Sequence, residues 1–348
     1  MKVALVTSIP RGGPVEHAVL LARELVALGV EVSAVACDVE LAGRFDAVGA
    51  RAAVIPLRTS GDWAGAVRAH RFVAGADVIH SHDRRAGLWM RLGPAHGALR
   101  VHTLHGLAEP YLQEGRPGLK ARLAYGWLER SLPTDVLVAP SHAAARLLRE
   151  RVGYGEIVVV PNGVDAVPQL EPGELVGTLS AHEPVKGLDV FLAAIPRVLA
   201  GRASTRFVIY GTGSLEGELR AAARGLPVEF PGHVPAMDAL RTLAVLALPS
   251  RMETSGIALL EAMAAGIPAV ATRVGGIEET GTATLVEPDD PDALADAILA
   301  LLADPDEQIR LGRTAAANFT ARRTAERMRE VYDTNLTRVR RGATARSG

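Results

Sequence analysis

The sequence predicts an α/β protein made of two doubly wound parallel-sheet domains, and three observations support this prediction. Short apolar runs alternate with amphipathic helical segments along most of the chain, as expected for the strands and helices of such sheets. The length of 348 residues is long for one domain and comfortable for two. A Pro-Asn-Gly turn at residues 161–163 interrupts the alternation near the middle of the chain.

The predicted strands of the first half are continuous apolar runs, which is the pattern of strands buried on both faces of a parallel sheet. They cover residues 3–8, 30–36, 53–57, 78–80, 100–104, 136–139 and 157–160. Helical spacing of apolar residues predicts helices at residues 15–28, 62–74 and 143–151. Residues 1–163 are therefore predicted to form one Rossmann-like domain.

A second alternating series begins after a linker predicted at residues 162–172, where Pro168 and Pro172 favour irregular chain. Its strands are predicted at residues 175–179, 207–210, 228–230, 245–248, 269–272 and 284–286. Its helices are predicted at residues 188–199, 215–223, 236–243, 256–265 and 292–302, followed by helices rich in alanine and arginine over 306–340. Residues 164–321 are predicted to form the second domain, which shares no sequence repeat with the first.

Composition excludes several classes of protein. The chain is 48% hydrophobic with a formal net charge of −1, so we expect a packed globular protein without a nucleic-acid partner. The single cysteine, Cys37, fits a reducing compartment. We see no signal peptide and no apolar run of the ~20 residues that span a bilayer. A cytoplasmic location is expected, with peripheral membrane contact left open and the oligomeric state undetermined.

The most specific pattern is LALPSRMETSGIALLEAMAAGIPAVATRVGGIEE at residues 246–279, which predicts a strand, a loop, a helix and a second strand. Glu253 and Glu261 lie eight residues apart, and a carboxylate accepts hydrogen bonds from the hydroxyls of a ribose or a sugar. A phosphate suits the amides at the helix start, those of Ser255, Gly256 and Ile257. Together these features describe a nucleotide sugar, although two surface glutamates have this spacing by chance in many chains.

This segment resembles the nucleotide-sugar signature of the retaining GT-B glycosyltransferases of group one, the fourth sequence family. Their pattern PS-x-x-E-x-F-G, L-E-A-M-A-x-G-x-P-V-V-A and G-G-I-x-E is closely matched. The resemblance implies two Rossmann-like domains that face each other across a cleft, with the acceptor on the first and the nucleotide sugar on the second. It also implies that a final helix, at about residues 322–341, packs back on the first domain.

For the second domain, the resemblance implies three roles. Lys186 precedes a predicted helix start, where an ammonium group suits a diphosphate, and it matches the lysine that neutralises the leaving group. Glu261 is expected to bind the ribose diol, and Glu253 the hydroxyls of the donor sugar. Gly211 and Gly213 match the G-x-G of the family. UDP is favoured over GDP as the nucleotide.

In the first domain, Gly12 and Gly13 precede a predicted helix, where they form either a plain turn or a phosphate or acceptor site. The resemblance places a Gly-Gly loop here and matches Glu16 to a residue that faces the cleft. His82 and His105 follow predicted strands and are expected to line the cleft. His105 matches the T-x-H-G element near the donor sugar. A metal site is the alternative for the four histidines His80, His82, His102 and His105, but their spacing does not favour one.

Two positions depart from the family pattern. Ser255 stands where an aromatic residue is common, and Thr178 stands where an arginine is usual. Arg251 and Arg273 are candidates to supply the missing charge. A basic, aromatic helix predicted from about residue 119 either packs on the core or lies on a membrane surface, and by analogy this stretch recognises the acceptor.

We therefore predict a retaining, metal-independent glycosyltransferase, a hexosyltransferase that moves a sugar from a nucleoside diphosphate sugar to an acceptor hydroxyl without a cofactor. Its predicted catalytic residues are His105, Glu253 and Lys186. The alternatives are a nucleotide-sugar epimerase of the same fold and a non-catalytic nucleotide-sugar binder, because a fold by itself does not fix the chemistry.

Overall fold

The computed structural model describes residues 1–95, 97–106, 128–281 and 283–344. The chain divides into two compact units, one of Met1–Asn162 with Ala321–Gly348 and one of Gly163–Thr320. It leaves the first unit after Asn162 and returns to it at Ala321. Most of the basic, aromatic helix predicted from about residue 119 lies outside the described residues.

The first unit is built on a parallel sheet of seven strands in the order β3-β2-β1-β4-β5-β6-β7. Val3 of β1 pairs with Val32 of β2 on one side and with Val78 of β4 on the other. The strand order therefore reverses between β1 and β4. The strands are β1 Lys2–Val6, β2 Glu31–Ala36, β3 Arg51–Val54, β4 Val78–Ser81, β5 Leu99–Thr103, β6 Val136–Ala139 and β7 Val158–Val159.

The helices of this unit are α1 Gly13–Ala27, α2 Val39–Ala47, α3 Trp63–Val73, α4 Arg84–Leu92, α5 Leu128–Ser131, α6 His142–Val152 and the late helix α13 Ala321–Thr344. Sequence reasoning did not predict α2 and α4. Each has nine residues and begins at an aspartate, Asp38 or Asp83, whose carboxylate accepts hydrogen bonds from the first helical amides. The strand predicted at residues 53–57 begins earlier, at Arg51.

Helix α13 belongs to the core of the first unit. Ala325, Met328 and Tyr332 are fully buried in the hydrophobic cluster that also holds residues of α1 and β1. The Tyr332 hydroxyl lies 2.6 Å from His80 Nδ1, and Thr324 Oγ1 donates a hydrogen bond of 2.8 Å to the Pro161 carbonyl. Burial raises the pKa of Tyr332 well above its ordinary value, so the hydroxyl stays protonated.

The second unit is a parallel sheet of six strands in the order β10-β9-β8-β11-β12-β13, whose order reverses between β8 and β11. The strands are β8 Leu175–Leu179, β9 Arg206–Tyr210, β10 Val228–Gly232, β11 Leu243–Leu248, β12 Ala269–Thr272 and β13 Thr284–Val286. The helices are α7 Leu188–Gly201, α8 Glu216–Ala222, α9 Ala236–Leu240, α10 Ile257–Ala265, α11 Pro291–Ala303 and α12 Asp306–Ala316, with 3₁₀ turns at Pro184–Lys186 and Gly275–Thr280.

The helix predicted at residues 236–243 is shorter than expected. It ends at Leu240, and β11 begins at Leu243, two residues before the predicted strand. The apolar run through this region serves both elements, and apolar character alone does not separate a buried helix end from a buried strand. Among the described helices, none is both long enough and apolar enough to cross a bilayer.

The Tyr332 contact generates a prediction for stability. Tyr332→Phe leaves His80 Nδ1 buried without its partner on α13, which costs about 1–3 kcal/mol of unfolding free energy. Urea denaturation of the purified full chain measures this loss. Thr337→Ala, at an exposed position on the same helix, is the control and should change stability by less than about 0.5 kcal/mol. Equal stability of Tyr332→Phe and the wild type would contradict the proposed anchor.

Candidate functional site

The strand order locates a candidate ligand site in the second unit. In open parallel sheets, ligands bind beyond the carboxyl ends of the strands at the point where the strand order reverses. Here that point lies between β8 and β11. The segments that follow these strands are residues 180–187 and residues 249–256, which contain Lys186 and Glu253.

Lys186 and Glu253 meet at this edge. The Lys186 Nζ donates a hydrogen bond of 2.6 Å to Glu253 Oε1, and Ser250 Oγ donates one of 2.9 Å to the same oxygen. Both charged side chains are largely buried, with exposed fractions of 24% and 12%. A pair in this position is screened less by solvent than a surface ion pair, so the attraction between the two charges is stronger.

Close backbone contacts hold the two loops together. Gly187 has a φ of +61°, and a Cβ there would lie 2.0 Å from the Pro249 carbonyl oxygen. Gly275 has a φ of +52°, and its Cβ would lie 1.8 Å from the carbonyl oxygen of Glu253. The Gly276 amide donates a hydrogen bond of 3.2 Å to that oxygen. Glycine is required at positions 187 and 275 because only its backbone fits this geometry.

The start of α10 borders the Glu253 loop. Gly256 caps this helix in the left-handed conformation, and a Cβ there would lie 2.4 Å from Ile277 Cδ1. Ser255 and Gly256 are buried, whereas Ile257 and Glu261 are half-buried. Glu261 is the fifth residue of α10. The predicted anion site at Ser255, Gly256 and Ile257 thus coincides with a true helix N-terminus, where the first amides carry a partial positive charge.

A row of buried polar residues follows Gly177, of which sequence reasoning singled out Thr178 and missed Ser180 and His182. Thr178 and His182 are almost fully buried, and Ser180 lies between them at the end of β8. No hydrogen-bond partner among the described residues reaches Thr178 Oγ1, Ser180 Oγ or either ring nitrogen of His182. Burial lowers the pKa of His182, so the ring is neutral at pH 7. Alternate polar residues at a strand end were the available sequence signal.

The glycines predicted from the G-x-G pattern lie against this row. A Cβ on Gly211, at φ +119°, would lie 1.9 Å from the Ser180 carbonyl oxygen, and a Cβ on Gly213 would lie 2.5 Å from that of His182. The His182 amide donates a hydrogen bond of 3.0 Å to the Thr212 carbonyl. Gly211 and Gly213 therefore bring the loop after β9 against the loop after β8.

Both arginines that were candidates to replace the family arginine are paired with carboxylates. Arg251 is held by Asp189, with nitrogen–oxygen distances of 2.7 and 2.9 Å, and by Asp289 at 2.7 Å. Hydrogen bonding to Asp189 raises the pKa of Arg251. Arg273 pairs with Glu287 at 3.1 Å on the surface. Two carboxylates balance the charge of Arg251, and one balances that of Arg273.

In the first unit, the Gly12-Gly13 loop leads into α1. Gly12 is exposed at a φ of +108°, and Gly13 is the first residue of the helix. Glu16, which the resemblance matches to a residue facing the cleft, forms a two-pronged ion pair with Arg44 of α2, at 2.6 and 3.1 Å. Its neighbour His17 is buried and points toward the strand-end histidines.

Three histidines converge where the strand order of this unit reverses. His17 comes from α1, His82 follows β4 and His105 follows β5, and one ring nitrogen from each lies within 4.8 Å of the others. His82 Nδ1 is 3.4 Å from His105 Nε2. We name these residues the histidine triad. Sequence reasoning missed His17, because a histidine in a helix that packs on the sheet has the pattern of an ordinary core residue.

The other two predicted histidines have separate partners. His80 Nδ1 lies 2.6 Å from the Tyr332 hydroxyl, and His80 Nε2 lies 2.7 Å from Thr103 Oγ1. His102 Nδ1 lies 2.9 Å from Ser81 Oγ. The four-histidine metal alternative is therefore not supported, because His80 and His102 are engaged within the sheet.

All five imidazoles are held neutral. Burial lowers the pKa of His17 to about 4. Burial, together with the charge of Arg91, lowers the pKa of His102 to about 3. The pKa values of His80, His82 and His105 are also lowered well below the ordinary value, first by burial. Neutral imidazoles act as hydrogen-bond donors and acceptors, and as metal ligands.

Comparison with known proteins gives the family. The model described as "Glycosyl transferases group 1" matches residues 174–304, and that described as "Glycosyltransferase Family 4" matches residues 11–167. A phosphatidyl-myo-inositol mannosyltransferase of Mycobacterium leprae is 30% identical over 94% of each chain. The chain belongs to the group 1 glycosyltransferases, enzymes that transfer a sugar from a nucleotide-sugar donor.

Two further likenesses define how far this similarity reaches. A GDP-mannose-dependent monoacylated alpha-(1-6)-phosphatidylinositol monomannoside mannosyltransferase of Corynebacterium glutamicum is 35% identical, but the alignment covers only 42% of each chain. The structure of Anabaena HepE in complex with UDP-glucose superimposes with a TM-score of 0.81 at 18% identity, over 96% of this chain and all of that one. The GT-B fold predicted from the sequence is thereby confirmed.

The glycine contact below Glu253 generates a second prediction. Gly275→Ala adds a Cβ that collides with the Glu253 carbonyl, so the loop must move and stability should fall by roughly 2–4 kcal/mol. Gly281→Ala is the matched control, because Gly281 also has a positive φ but nothing lies within 4 Å of its Cβ. Its cost should stay near the ~1–2 kcal/mol of the left-handed conformation alone. Urea denaturation of both variants measures these losses of unfolding free energy. Equal losses in the two variants would contradict the close contact at Gly275.

The neutral histidines generate a third prediction. The pKa of His102 is about 3 in the folded protein and about 6.5 when unfolded, so its stabilising contribution is complete above pH 6.5 and is lost as the pH falls toward 3. Between pH 7 and pH 5 this loss is about 2 kcal/mol. His102→Gln should lose about that much less than the wild type over the same interval in urea denaturation. The exposed control His142→Gln should follow the wild type, and parallel curves for all three proteins would contradict the assignment.

Proposed function

We propose that the protein is a retaining, metal-independent hexosyltransferase that moves a sugar from a nucleoside diphosphate sugar to the hydroxyl of an acceptor. The observation that carries the proposal is the contact between Lys186 and Glu253 beside the N-terminus of α10. This contact puts a cation, a carboxylate and a helix start at the one edge of the second sheet where ligands bind. Family membership supplies the reaction class.

Lys186 is proposed to neutralise the departing diphosphate. An ammonium group has three donors, so a single bond to Glu253 leaves capacity for phosphate oxygens. The first amides of α10 add a partial positive charge. Stabilising negative charge where it develops on the leaving group is the main catalytic demand of such a transfer, and it requires no divalent cation here.

Glu253 and Glu261 are proposed to hold the hydroxyls of the donor. Glu253 has one oxygen engaged by Lys186 and Ser250, and a carboxylate has about four acceptor sites in all. It can therefore accept from sugar hydroxyls without losing its present partners. Glu261, the fifth residue of α10, is proposed to accept hydrogen bonds from the ribose diol.

His182 is proposed to contribute in place of the family arginine. A buried ring whose two nitrogens both lack partners is costly unless a ligand or water satisfies it. Because the ring is neutral, it contributes a hydrogen bond to the nucleotide but no positive charge. On this proposal, Lys186 and the α10 amides carry the electrostatic stabilisation, and His182 orients the donor.

In the first unit, Gly12, Gly13, His82 and His105 are proposed to serve the acceptor and the transferred sugar. His105 is proposed as a neutral donor to a sugar hydroxyl, as the T-x-H-G resemblance implies. The names of the two mannosyltransferase relatives support an inositol-type polyol as the acceptor. A lipid-linked acceptor agrees with those names and with a cytoplasmic protein that touches the membrane surface. GDP appears in one of those names, so the preference for UDP stays a prediction.

The test is calorimetric binding of UDP and GDP to the full chain. Lys186→Met should weaken the preferred nucleotide at least ~10-fold, because it removes an ion pair with the diphosphate. Glu261→Gln should weaken it by a similar factor, because an amide replaces a charged acceptor. Matched controls are Lys2→Met and Glu278→Gln, both exposed positions. Undiminished binding by Lys186→Met or Glu261→Gln would refute the assigned role.

Product analysis separates the reaction classes. If the protein is a retaining transferase, a nucleotide sugar incubated with an inositol-type acceptor should yield a glycoside with the anomeric configuration of the donor. An epimerised nucleotide sugar formed without any acceptor would support the epimerase instead. Binding without turnover across a panel of donors and acceptors would support a non-catalytic binder.

A further inference from the structure

We propose that the histidine triad of His17, His82 and His105 is a binding site for a divalent transition-metal ion of the zinc type, and that the bound ion inhibits sugar transfer. The site lies entirely within the first unit, whereas Lys186 and Glu253 belong to the second. Transfer itself needs no metal under the function proposed above, but it shares His82 and His105 with the triad.

The geometry of the triad is close to that of a three-histidine site. A zinc ion binds imidazole nitrogens at about 2.0–2.1 Å in a tetrahedral arrangement, which places neighbouring ligand nitrogens about 3.3 Å apart. The distance between His82 Nδ1 and His105 Nε2 is 3.4 Å. The nitrogens of all three residues lie within 4.8 Å. Small rotations of the imidazole rings are therefore enough to bring the three nitrogens to the spacing of a zinc site.

The chemistry of the triad also suits a metal. Nε2 of His17 is buried, and no hydrogen-bond partner reaches it within the described part of the chain. A buried polar nitrogen of this kind needs a partner. Imidazole favours zinc, copper and nickel over magnesium and calcium, which prefer oxygen ligands.

The carboxylates nearest in sequence to the triad are already committed. Glu16, next to His17, is bound to Arg44, and Asp83, next to His82, accepts from the Ser8 amide at 2.6 Å and caps α4. An ion held by three imidazoles would thus keep a fourth position for water or a substrate oxygen, as in open zinc sites.

Inhibition follows from the role proposed for His105, and this part rests on the proposed function. A nitrogen lone pair that ligates a metal fixes the orientation and tautomer of the ring. His105 could then no longer adopt the orientation needed to donate to a sugar hydroxyl. His17 is the ligand with no role in the proposed transfer, so it is the position where binding and transfer can be separated.

The experiment uses Co²⁺ as a visible probe for the full chain after removal of metal with a chelator. One equivalent of Co²⁺ should give the strong visible absorption of a tetrahedral site, and Zn²⁺ should abolish it by displacement. His17→Phe, which keeps a ring in the buried space, should lose this absorption. The control His233→Gln removes an exposed histidine of the second unit and should bind Co²⁺ as the wild type does.

Transfer is then measured with and without Zn²⁺. The wild type and His233→Gln should be inhibited, whereas His17→Phe should require at least ~10-fold more Zn²⁺ for the same inhibition, the scale expected for a lost metal contact. Equal thermal unfolding of His17→Phe and the wild type in the absence of metal verifies that the variant is folded. If His17→Phe does not fold, His17→Gln replaces it in both the Co²⁺ absorption and the Zn²⁺ inhibition measurements.

Two outcomes would overturn the proposal: no tetrahedral absorption up to ~100 equivalents of Co²⁺, or the same absorption in the folded His17 variant. The absorption does not depend on any activity. A protein that binds Co²⁺ through His17 and transfers no sugar would therefore refute the proposed function and leave the metal site standing. Transfer by an enzyme that Zn²⁺ occupies but does not inhibit would refute the inhibition.

Discussion

A parallel sheet sends the carboxyl end of every strand to one edge, and this constraint positions each candidate site of the protein. Where the strand order reverses, the two following loops depart in opposite directions and leave a crevice between them. The reversals lie between β1 and β4 and between β8 and β11. Lys186 and Glu253 are 67 residues apart along the chain, yet they follow the two strands that flank one such point. His17 and His82 follow the two strands that flank the other.

The two edges are chemically different. The edge of the second unit combines a cation, a carboxylate and a helix N-terminus, with glycines at 187 and 275 that force the backbones together. The edge of the first unit carries imidazoles that burial keeps uncharged. Charged groups suit a diphosphate, whereas neutral rings suit hydroxyls and soft cations. These electrostatics support the proposed division, in which the second unit binds the donor and the first unit binds the acceptor.

Most of the fold was predictable because its strands are short continuous apolar runs between turn residues. The Glu253–Glu261 spacing led to the sheet edge that is proposed as the donor site. Helices α2 and α4 escaped prediction because each is short and carries few apolar residues at helical spacing. Glu16 and His17 show a second limit. Neighbours on a helix point about 100° apart, and only packing decides which one faces the strand-end histidines.

The missing family arginine shows a third limit. The sequence shows that Thr178 stands in place of the family arginine, but it does not show which residue replaces the charge. Arg251 and Arg273 looked equally suitable until their aspartate and glutamate partners were known. The buried row at Thr178 and His182 depends on the loop after β9 lying against the loop after β8. That contact is a tertiary feature, which spacing alone does not encode.

The position of α13 has a consequence for synthesis on the ribosome. The second unit is one unbroken stretch of chain, so it can finish folding as soon as it leaves the exit tunnel. The first unit cannot, because Ala325, Met328 and Tyr332 belong to its core and follow the whole second unit along the chain. Until they arrive, the face of the β1 sheet that they cover is exposed as apolar surface, a state prone to aggregation. During synthesis, the first unit therefore depends on protection from aggregation until the residues that follow the second unit have been made.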